Sequence, residues 1–502
     1  MKIPLLLEMA AEVHPHRIAL VRDERRWTYA ELLECARGAG TLIRQSGARY
    51  VSLLDESSEA AVIALFGAAM AGVPYCPLNY RLADAELCAL LQRIAPALVI
   101  GDEARVARIA GAQGHVTYSR DRFVAEAQQL ASGDAPTDDD PANDIAVQLF
   151  TSGTTAAPKA ALLRHSNLLG YILNSVEFAS AAEDEASLVV VPPYHIAGIS
   201  ALMSSIYAGR RIVMLPNFSP ADWLALVANE KVTNAFVVPT MLARIIDTLK
   251  SGKPGRVVDV SSLRAIAYGG GKMPIDVIRP ALQLFPDVNF TNAYGLTETS
   301  STIALLTPED HRAALLSDDP KVQARLGSLG KPLPSVEIEI RDENGQVLPP
   351  NAAGEIYVRG EQVSGEYREK SALIEGGWFP TRDAGYMDDQ GYLYLSGRAD
   401  DVIVRGGENI SPGEIEDVLL THPSVADACA CAIPSDEWGE AIGIAVVVHI
   451  ATEQPGHQEL KDLIRARLRS SRVPDKITFV PDLPYNEMGK LLRREVKKML
   501  VD

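Results

Sequence analysis

The chain has 502 residues, which is too long for a single hydrophobic core and indicates roughly three domains. Hydrophobic residues make up 47% and charged residues 23%, ordinary globular values that exclude an intrinsically disordered chain. The net charge of −17 argues against a nucleic-acid-binding protein, which needs a broad basic face. It does not argue against a nucleotide ligand, because one local loop can hold a nucleotide.

Strand-like and helix-like segments alternate along the first part of the chain. The longest apolar run, Ala60 to Val73, is too short for a bilayer span and is predicted to be a buried helix. The alternation predicts an α/β fold with parallel sheets covered by helices. The predicted elements are strand Val51–Leu54, helix Glu59–Met70, and strands Ala97–Ile100, Ser187–Val191, Arg211–Leu215 and Ala235–Val238.

From about Gly327 the segments become shorter and are joined by Asp-, Asn- and Gly-rich turns. Strands at Val336–Ile340, Gly354–Val358 and Gly391–Leu395 predict a small antiparallel β unit. After Arg398 a compact α+β block follows. Its predicted elements are helix Ser411–Thr421, strands Ala426–Ile433 and Ala441–Ile450, and helix Gln458–Ser470.

The cysteine spacing and the first residues of the sequence indicate the cellular compartment of the protein. Cys429 and Cys431 alternate with Ala, as on one face of a strand, and no C-x-x-C spacing occurs. The start of the chain has an apolar run too short for a signal peptide. We therefore expect a cytoplasmic protein without a transmembrane segment, whose cysteines are reduced thiols. These cysteines are Cys35, Cys76, Cys88, Cys429 and Cys431.

The segment Thr151 to Lys159 is the most informative stretch of the sequence. It follows a strand-like run (Ile145 to Phe150), precedes a helix-like one (Asn167 to Val176), and is rich in hydroxyl groups. Backbone N–H groups, hydroxyls and a mobile Lys cation suit a phosphate ligand. No Walker A sequence occurs in the chain. Taken alone, the segment could equally be a Ser/Thr-rich surface turn.

This loop resembles the phosphate-binding signature of the adenylate-forming superfamily, which includes acyl- and aryl-CoA synthetases, amino-acid adenylation domains and beetle luciferases. Further matching motifs follow in the order of that family and cover nearly the whole chain. They are Pro192–Gly198, Tyr268–Gly271, Asn292–Thr299, Gly354–Gly360, Thr381–Gly385, Gly397–Asp401, Gly406–Glu416 and Pro484–Lys490. Each motif is weak by itself, but so many in the right order are hard to reach by chance.

The resemblance implies a large N-terminal adenylation domain, residues 1–397, with helix-covered sheets and the small β unit. A small mobile C-terminal α+β domain, residues 398–502, would turn about a hinge near Asp400. The implied enzyme is an AMP-forming acyl-CoA synthetase that uses ATP, Mg²⁺ and coenzyme A. It would convert a small carboxylic acid to acyl-AMP with release of pyrophosphate, and CoA thiol would then displace AMP.

The resemblance also assigns residues to the nucleotide. Tyr294 would stack on adenine, Thr297 would donate to the α-phosphate, Glu298 would hold Mg²⁺, and Asp383 would bind the ribose hydroxyls with help from Arg398. Ala156 and Ala160 stand where the family often has Gly. The implied ATP- and AMP-binding residues are Thr151, Ser152, Gly153, Thr154, Thr155, Lys159, Gly269, Gly270, Gly271, Asn292, Ala293, Tyr294, Gly295, Thr297, Asp383 and Arg398.

Lys490 and His195 are, with Thr297, the residues implied in catalysis. Lys490 would bridge the substrate carboxylate and the α-phosphate as charge develops between them. His195 would lie between the acyl pocket and the thiol path. Amino-acid adenylation domains typically carry an Asp after an aromatic residue here, and its absence argues against an amino-acid substrate.

The implied acyl pocket is small or apolar and contains His195, Gly198, Ile199, Val238 and Gly270. No fixed cation is evident that would favour a dicarboxylate. The pattern indicates a medium-chain, aromatic or alicyclic acid and leaves the individual acid open.

For CoA, Gly406 and Gly407 would line the pantetheine tunnel and Trp438 would pack against the cofactor. Arg81 and Arg472, together with Lys476, are candidates for the CoA phosphates. The family's aromatic-Lys pair before Val473 reads Ser471-Arg472 here, and the basic residues around it could also be a solvated helix face.

Two other functions remain open from the sequence. An acyl-AMP ligase that delivers to a carrier protein often has an insertion near the β unit, and Gly354–Lys370 shows none. A catalytically silent adenylate-binding protein is disfavoured because Thr297, Glu298, Asp383 and Lys490 are intact. No nucleic-acid partner is expected. A homodimer is one assembly that we consider, although the sequence does not fix the oligomeric state.

Overall fold

A computed structural model describes residues 1–109, 113–130, 144–151, 158–251, 259–398, 401–405, 408–435, 438–449, 452–485 and 491–501. Helices in these ranges are, in chain order, α1 Pro4–Val13, α2 Tyr29–Ser46, α3 Glu59–Ala71, α4 Asp84–Arg93, α5 Glu103–Arg108, α6 Arg120–Gln129, α7 His165–Ser175, α8 Ile196–Tyr207, α9 Pro220–Asn229, α10 Pro239–Lys250, α11 Ile275–Leu284, α12 Pro308–Leu316, α13 Pro320–Gln323, α14 Pro412–Leu419, α15 His457–Arg467 and α16 Arg493–Val501.

The strands run from the start of the chain to the C-terminal block. They are β1 Ile18–Arg22, β2 Arg25–Thr28, β3 Tyr50–Leu54, β4 Ala97–Gly101, β5 Val116–Ser119, β6 Ile145–Thr151, β7 Lys159–Arg164, β8 Ala186–Val189, β9 Arg211–Met214, β10 Asn234–Val237, β11 Ala265–Gly269, β12 Asn289–Leu296, β13 Ser301–Leu306, β14 Lys331–Pro332, β15 Val336–Arg341, β16 Gly354–Gly360, β17 Glu366–Tyr367, β18 Phe379–Met387, β19 Leu393–Arg398, β20 Ile403–Arg405, β21 Glu408–Ile410, β22 Val425–Ser435, β23 Gly439–Val448 and β24 Lys476–Phe479.

The N-terminal region is built from several sheets. A nine-stranded sheet has the order β14-β13-β12-β11-β10-β8-β9-β1-β2, and β8 to β12 are parallel neighbours in its centre. A second layer contains parallel β3-β4-β5 and antiparallel β17-β7-β6, joined by Tyr75, which bridges both Val51 and Val147. Helices cover these sheets, so the predicted α/β class is confirmed.

The small β unit is antiparallel, as predicted, with the order β15-β16-β18-β19. Its last strand begins at Leu393, later than the predicted Gly391. The reason is a turn in which Gly391 has a positive φ of 82° and the Asp388 carboxylate accepts from the backbone N–H groups of Gln390 and Tyr392.

Local sequence explains why the buried helices form where they do. In α2, the Thr28 hydroxyl accepts from the Glu31 N–H, and the Glu31 carboxylate accepts from the Thr28 N–H. Every residue of α3 is buried, which confirms the buried helix predicted from the long apolar run. A bilayer-spanning helix is absent from the described part of the chain, since none of its helices has the required length and apolar character.

The C-terminal block forms its own core around β20–β24, α14 and α15. Cys429 and Cys431 lie on one face of β22, as predicted, with their sulfur atoms 3.7 Å apart. Helix α14 contacts the N-terminal region: the Ser411 hydroxyl donates to the Ser396 carbonyl, and Lys272 Nζ lies 2.5 Å from an Asp417 oxygen. The boundary at 397/398 stays a prediction, and Asp400 lies outside the described residues.

His165, at the start of α7, makes the fold sensitive to acid. Its Nδ1 accepts from the Ile3 N–H at 3.3 Å, and burial lowers the pKa of its imidazole from 6.5 to about 4. Because the unfolded chain takes up this proton at a higher pH than the folded protein, stability should fall as pH drops from 6.5 towards 4.

We therefore expect this one group to remove about 2 kcal/mol of unfolding free energy at about pH 5 relative to neutral pH. Urea unfolding at both pH values would show a smaller pH effect for His165→Gln than for the parent. The exposed His16→Gln serves as the matched control and should keep the parent's pH effect. An unchanged pH effect in His165→Gln would contradict the assignment.

Candidate active site

The predicted phosphate loop connects two antiparallel strands. Thr151 ends β6 and Lys159 begins β7, and the two residues are direct partners in the hairpin register. The two ends of the loop therefore lie side by side. Its predicted phosphate-binding residues Ser152, Gly153, Thr154 and Thr155 lie outside the described residues, so Thr151 and Lys159 are the members that can be placed.

A tyrosine connects this loop to the predicted metal ligand. Lys159 Nζ lies 5.5 Å from the centre of the Tyr367 ring, and the Tyr367 hydroxyl donates to Glu298 Oε1 at 2.6 Å. Burial, reinforced by the negative charge of Glu298, raises the pKa of Tyr367. The phenol therefore stays protonated and acts as a donor. The sequence prediction missed Tyr367, because nothing local links it to a carboxylate 69 residues away.

Glu298 fits a magnesium ion in its chemistry. A carboxylate is a preferred ligand of this hard cation, and no described residue donates to its second oxygen, Oε2. Within the described ranges, no group of three or more His, Cys, Asp and Glu side chains could hold a metal by itself. Further ligands would have to come from the nucleotide phosphates and water, which is how Mg²⁺ is usually bound.

The predicted ribose site is assembled as expected from two neighbouring strands. Asp383 on β18 is the register partner of Arg398 on β19, and an Arg398 nitrogen lies 2.9 Å from Asp383 Oδ1. The hydroxyl of Tyr294, on β12 of the large sheet, donates to Asp383 Oδ2 at 2.6 Å. Each carboxylate oxygen can accept a further hydrogen bond, so this buried group retains the capacity to bind ribose hydroxyls.

The predicted adenine-binding residues have different surroundings. Gly269 ends β11 beside Ala293, and a Cβ on Gly269 would lie only 2.2 Å from the Ala293 carbonyl oxygen, so the strands need glycine there. Gly270 and Gly271 are exposed, and Gly270 has a φ of +80°. Asn292 is buried, and its amide nitrogen donates to the Ser328 carbonyl. Gly295 and Thr297 follow on the same segment.

Several predicted residues follow the carboxyl ends of β8, β10, β11 and β12, which are parallel neighbours. The carboxyl ends of neighbouring parallel strands meet at one sheet edge, where α/β proteins bind ligands. His195 follows β8, Val238 follows β10, Gly269 ends β11, and Tyr294 lies near the end of β12. The fold thus brings residues far apart in the sequence to one edge.

His195 stands before the first turn of α8, with its ring centre 4.6 Å from that of Tyr194. Burial and the positive charge of Arg81 lower the pKa of His195 from 6.5 to about 4. The imidazole is therefore neutral at physiological pH. Gly198 lies against the Pro192 carbonyl oxygen, which a Cβ would approach to 2.7 Å.

Ile199 and Val238 are fully buried, each within a different hydrophobic cluster. Neither side chain is exposed. Their roles in an acyl pocket, like that of Gly270, remain predictions.

The predicted CoA residues differ in their exposure and in their contacts. Trp438 is 44% exposed with the Arg405 guanidinium 5.8 Å from its ring, and Arg81 is exposed beside the Tyr80 ring. Arg472 donates to the Glu414 carboxylate at 2.8 Å, and Lys476 Nζ donates to a backbone carbonyl of α16. These last two cations are thus engaged within the C-terminal block. Gly406, Gly407 and Lys490 lie outside the described residues.

Comparison with known protein families shows which family has this arrangement. The family model described as "AMP-binding enzyme" matches residues 7–368, and the model described as "AMP-binding enzyme C-terminal domain" matches residues 414–490. The chain belongs to the AMP-binding enzyme family. The adenylate-forming resemblance is thereby confirmed. The C-terminal match spans most of α14, strands β22 to β24 and Lys490.

The chain matches several CoA ligases along nearly its whole length. The chain is 32% identical to a 2-succinylbenzoate–CoA ligase of Geobacillus kaustophilus, covering 99% of this chain and 98% of that protein. It is 30% identical to a feruloyl-CoA synthase of Amycolatopsis sp, covering 97% of each. The O-succinylbenzoate CoA synthetase structure of Bacillus subtilis, in complex with ATP and a magnesium ion, superposes with a TM-score of 0.80 at 30% identity, covering 98% and 99%.

These similarities confirm the predicted enzyme class. This AMP-binding enzyme is an ATP-dependent, AMP-forming acid–thiol ligase with an acyl-AMP intermediate, and its cosubstrates and cofactor are ATP, CoA and Mg²⁺. The roles of the individual residues remain predictions.

The low pKa of His195 has a kinetic consequence. Because the imidazole is neutral between about pH 6 and pH 8, its ionisation should not shape the rate of acyl-AMP formation in that range. His195→Gln retains hydrogen-bonding capacity without a titrating group. We expect its pH profile in ATP–pyrophosphate exchange to have the same shape as the parent's. A limb near pH 6.5 in the parent that disappears in His195→Gln would show that His195 titrates during catalysis.

Proposed function

We propose that this enzyme activates an aromatic carboxylic acid as its acyl-adenylate and transfers the acyl group to coenzyme A. The observation that carries the proposal is that one short segment, residues 294–298, contacts both the Asp383–Arg398 pair and Tyr367. Tyr294 contacts the Asp383–Arg398 pair at the proposed ribose end. At the proposed phosphate end, Glu298 accepts a hydrogen bond from Tyr367, and the ring of Tyr367 contacts Lys159.

In the first half-reaction a carboxylate oxygen of the acid attacks the α-phosphorus of ATP. The bond from the α-phosphorus to the bridging oxygen breaks, and pyrophosphate leaves with the electron pair. Lys159 would neutralise charge on the outer phosphates, and Thr297 would donate to the α-phosphate. Lys490 would join the carboxylate and the α-phosphate oxygen from the C-terminal domain. A magnesium ion on Glu298 would supply a further positive charge next to the phosphates.

In the second half-reaction the CoA thiol loses its proton to solvent, and the sulfur attacks the acyl carbon. The bond between that carbon and the AMP oxygen breaks, which releases AMP and the acyl-CoA thioester. Gly406 and Gly407 would leave room for the pantetheine chain. Trp438 and Arg81 are exposed and would meet CoA, whereas the Arg472 guanidinium binds Glu414 within the C-terminal block.

The acid is proposed to be aromatic for two reasons. The relatives named above act on 2-succinylbenzoate and ferulate, both aromatic acids. In this chain, the residues that follow the strand ends are neutral or apolar, and His195 carries no charge at physiological pH. A neutral imidazole beside Tyr194 offers an aromatic surface rather than a cation for a second carboxylate.

The cellular setting is proposed with the function. All five cysteines are free thiols, as expected in a reducing compartment that also supplies ATP and CoA. We therefore place the reaction in the cytoplasm. The homodimer stays a prediction.

A panel of acids tests the substrate class. We expect benzoate- and cinnamate-type acids to give a kcat/KM for AMP release about tenfold or more above octanoate and malonate, because an apolar pocket discriminates by shape and burial. ATP–pyrophosphate exchange without CoA reports the first step alone. Preference for octanoate or malonate would contradict the aromatic class, whereas no exchange with any acid would contradict adenylation itself.

The two half-reactions should respond separately to substitutions in the C-terminal domain. Lys490→Ala should abolish pyrophosphate exchange yet still allow supplied acyl-AMP to react with CoA. Gly407→Leu should do the reverse, because a side chain in the tunnel obstructs only the thiol. Rapid-quench measurement of each step would show this, with Lys498→Ala on the exposed face of α16 as the control. Parallel losses of both steps in both variants would contradict a domain with two working faces.

A further inference from the structure

The structure points to Tyr367 as a positioning residue that holds Glu298 for the metal–nucleotide complex and keeps Glu298 apart from Lys159. This inference rests on the proposed function. It adds a residue from outside the nucleotide motifs to the machinery of the first half-reaction.

The backbone places Tyr367 independently of its side chain. The N–H groups of Ser364 and Gly365 both donate to the Glu298 carbonyl oxygen, at 2.9 and 3.1 Å. The Gln362 amide nitrogen donates to the Thr299 and Thr302 carbonyls. The segment 362–367 is therefore held against the turn that carries Glu298 by contacts that do not involve the phenol. Tyr367 then pairs with Ala161 on β7 and so joins the strand of Lys159.

The phenol fixes one oxygen of the carboxylate. It donates to Oε1 at 2.6 Å, and a phenol keeps its proton at neutral pH and so remains a donor. A glutamate side chain has several rotatable bonds, and a charge-assisted hydrogen bond removes much of that freedom before a ligand arrives. Oε2 has no donor among the described residues and is the oxygen left for a cation.

Tyr367 lies between two opposite charges, those of Lys159 and Glu298. Lys159 Nζ lies over one part of the ring at 5.5 Å from its centre, while the hydroxyl of the same residue reaches Glu298. In the described part of the chain, Lys159 and Glu298 form no ion pair with each other. The favourable position over the ring face gives the ammonium group an alternative to the carboxylate. Both charges therefore stay available, one for phosphate and one for the metal.

A purely structural role for Tyr367 is the alternative, and the chain offers a matched control for it. Tyr392 makes the same kind of bond, from its hydroxyl to Asp310 Oδ1 at 2.6 Å, and it is also flanked by cations, Arg325 and Lys331. It lies away from the β12 turn. Tyr392→Phe removes an equivalent phenol–carboxylate bond without touching Glu298.

The experiment compares Tyr367→Phe, Tyr392→Phe and Glu298→Ala. Calorimetric titration measures binding of ATP with and without Mg²⁺, and ATP–pyrophosphate exchange is followed against Mg²⁺ concentration. We expect Tyr367→Phe to weaken Mg·ATP binding and raise the half-saturating Mg²⁺ concentration about tenfold, the value of a lost hydrogen bond to a charged group. Binding of ATP without metal should change little. Tyr392→Phe should match the parent in both measurements.

A second substitution separates the ring from the hydroxyl. Tyr367→Leu removes both, so Lys159 should pair with Glu298, and ATP binding without metal should weaken as well. Thermal unfolding of each variant reports folding independently. Should Tyr367→Phe be too unstable to titrate, Glu298→Gln, which keeps the acceptor for the phenol but loses the charge, must lose the Mg²⁺ dependence of binding while retaining the parent's stability.

The outcomes distinguish the inference from the proposed function. If Tyr367→Phe binds Mg·ATP as the parent does while Glu298→Ala does not, the positioning role is wrong and the metal assignment stands. If Glu298→Ala also binds Mg·ATP like the parent, the metal assignment and the positioning role are both wrong. If the parent forms no acyl-AMP with any acid yet the titrations behave as expected, only the proposed reaction fails.

Discussion

The hydrogen bond from Tyr294 to the buried carboxylate of Asp383 is the contact on which the site depends. It joins the large nine-stranded sheet to the antiparallel β unit, which are separated by 89 residues along the chain at this point. Four residues later, Glu298 makes the corresponding contact to Tyr367 on the sheet of the phosphate hairpin. Three sheets therefore meet at one short segment. A nucleotide lying along it would touch each sheet, so the alignment of its two ends is set by how these sheets pack.

Electrostatics explain how a chain of net charge −17 can accept a polyanion. Two described cations at the proposed site are individually held, Arg398 by the Asp383 carboxylate and Lys159 by the ring of Tyr367. Because each is fixed beforehand, little reorganisation is needed when phosphate arrives. The proposed acyl end differs, because burial keeps the His195 imidazole neutral. The proposed nucleotide end therefore carries fixed charges, whereas the neutral His195 adds none at the proposed acyl end.

Much of this could be read from the sequence, and the limits have a physical cause. The parallel strands and the Asp383–Arg398 pair follow from local patterns and from the order of motifs, whereas strand β7, which makes the phosphate loop a hairpin, was not predicted. Tyr367 could not be found in this way, because its role comes from a strand pairing between residues 161 and 367 that no local pattern encodes. The burial of Ile199 and Val238 was equally unpredictable, because the sequence pattern of an apolar residue is the same whether it lines a cavity or fills a core.

Two glycines, Gly198 in the first turn of α8 and Gly269 at the end of β11, limit how the proposed acyl end could be redesigned or evolve. Gly198 and Gly269 lie so close to neighbouring carbonyl oxygens that any side chain would displace backbone, at Gly269 the very strand that leads to Tyr294. Narrowing the proposed acyl end at Gly269 would therefore disturb the strand that carries Tyr294 as well. Enlarging it by trimming a side chain such as Val238 leaves the backbone in place, at the cost of some core packing. Substrate range in this scaffold should thus drift more readily towards larger acids than towards smaller ones.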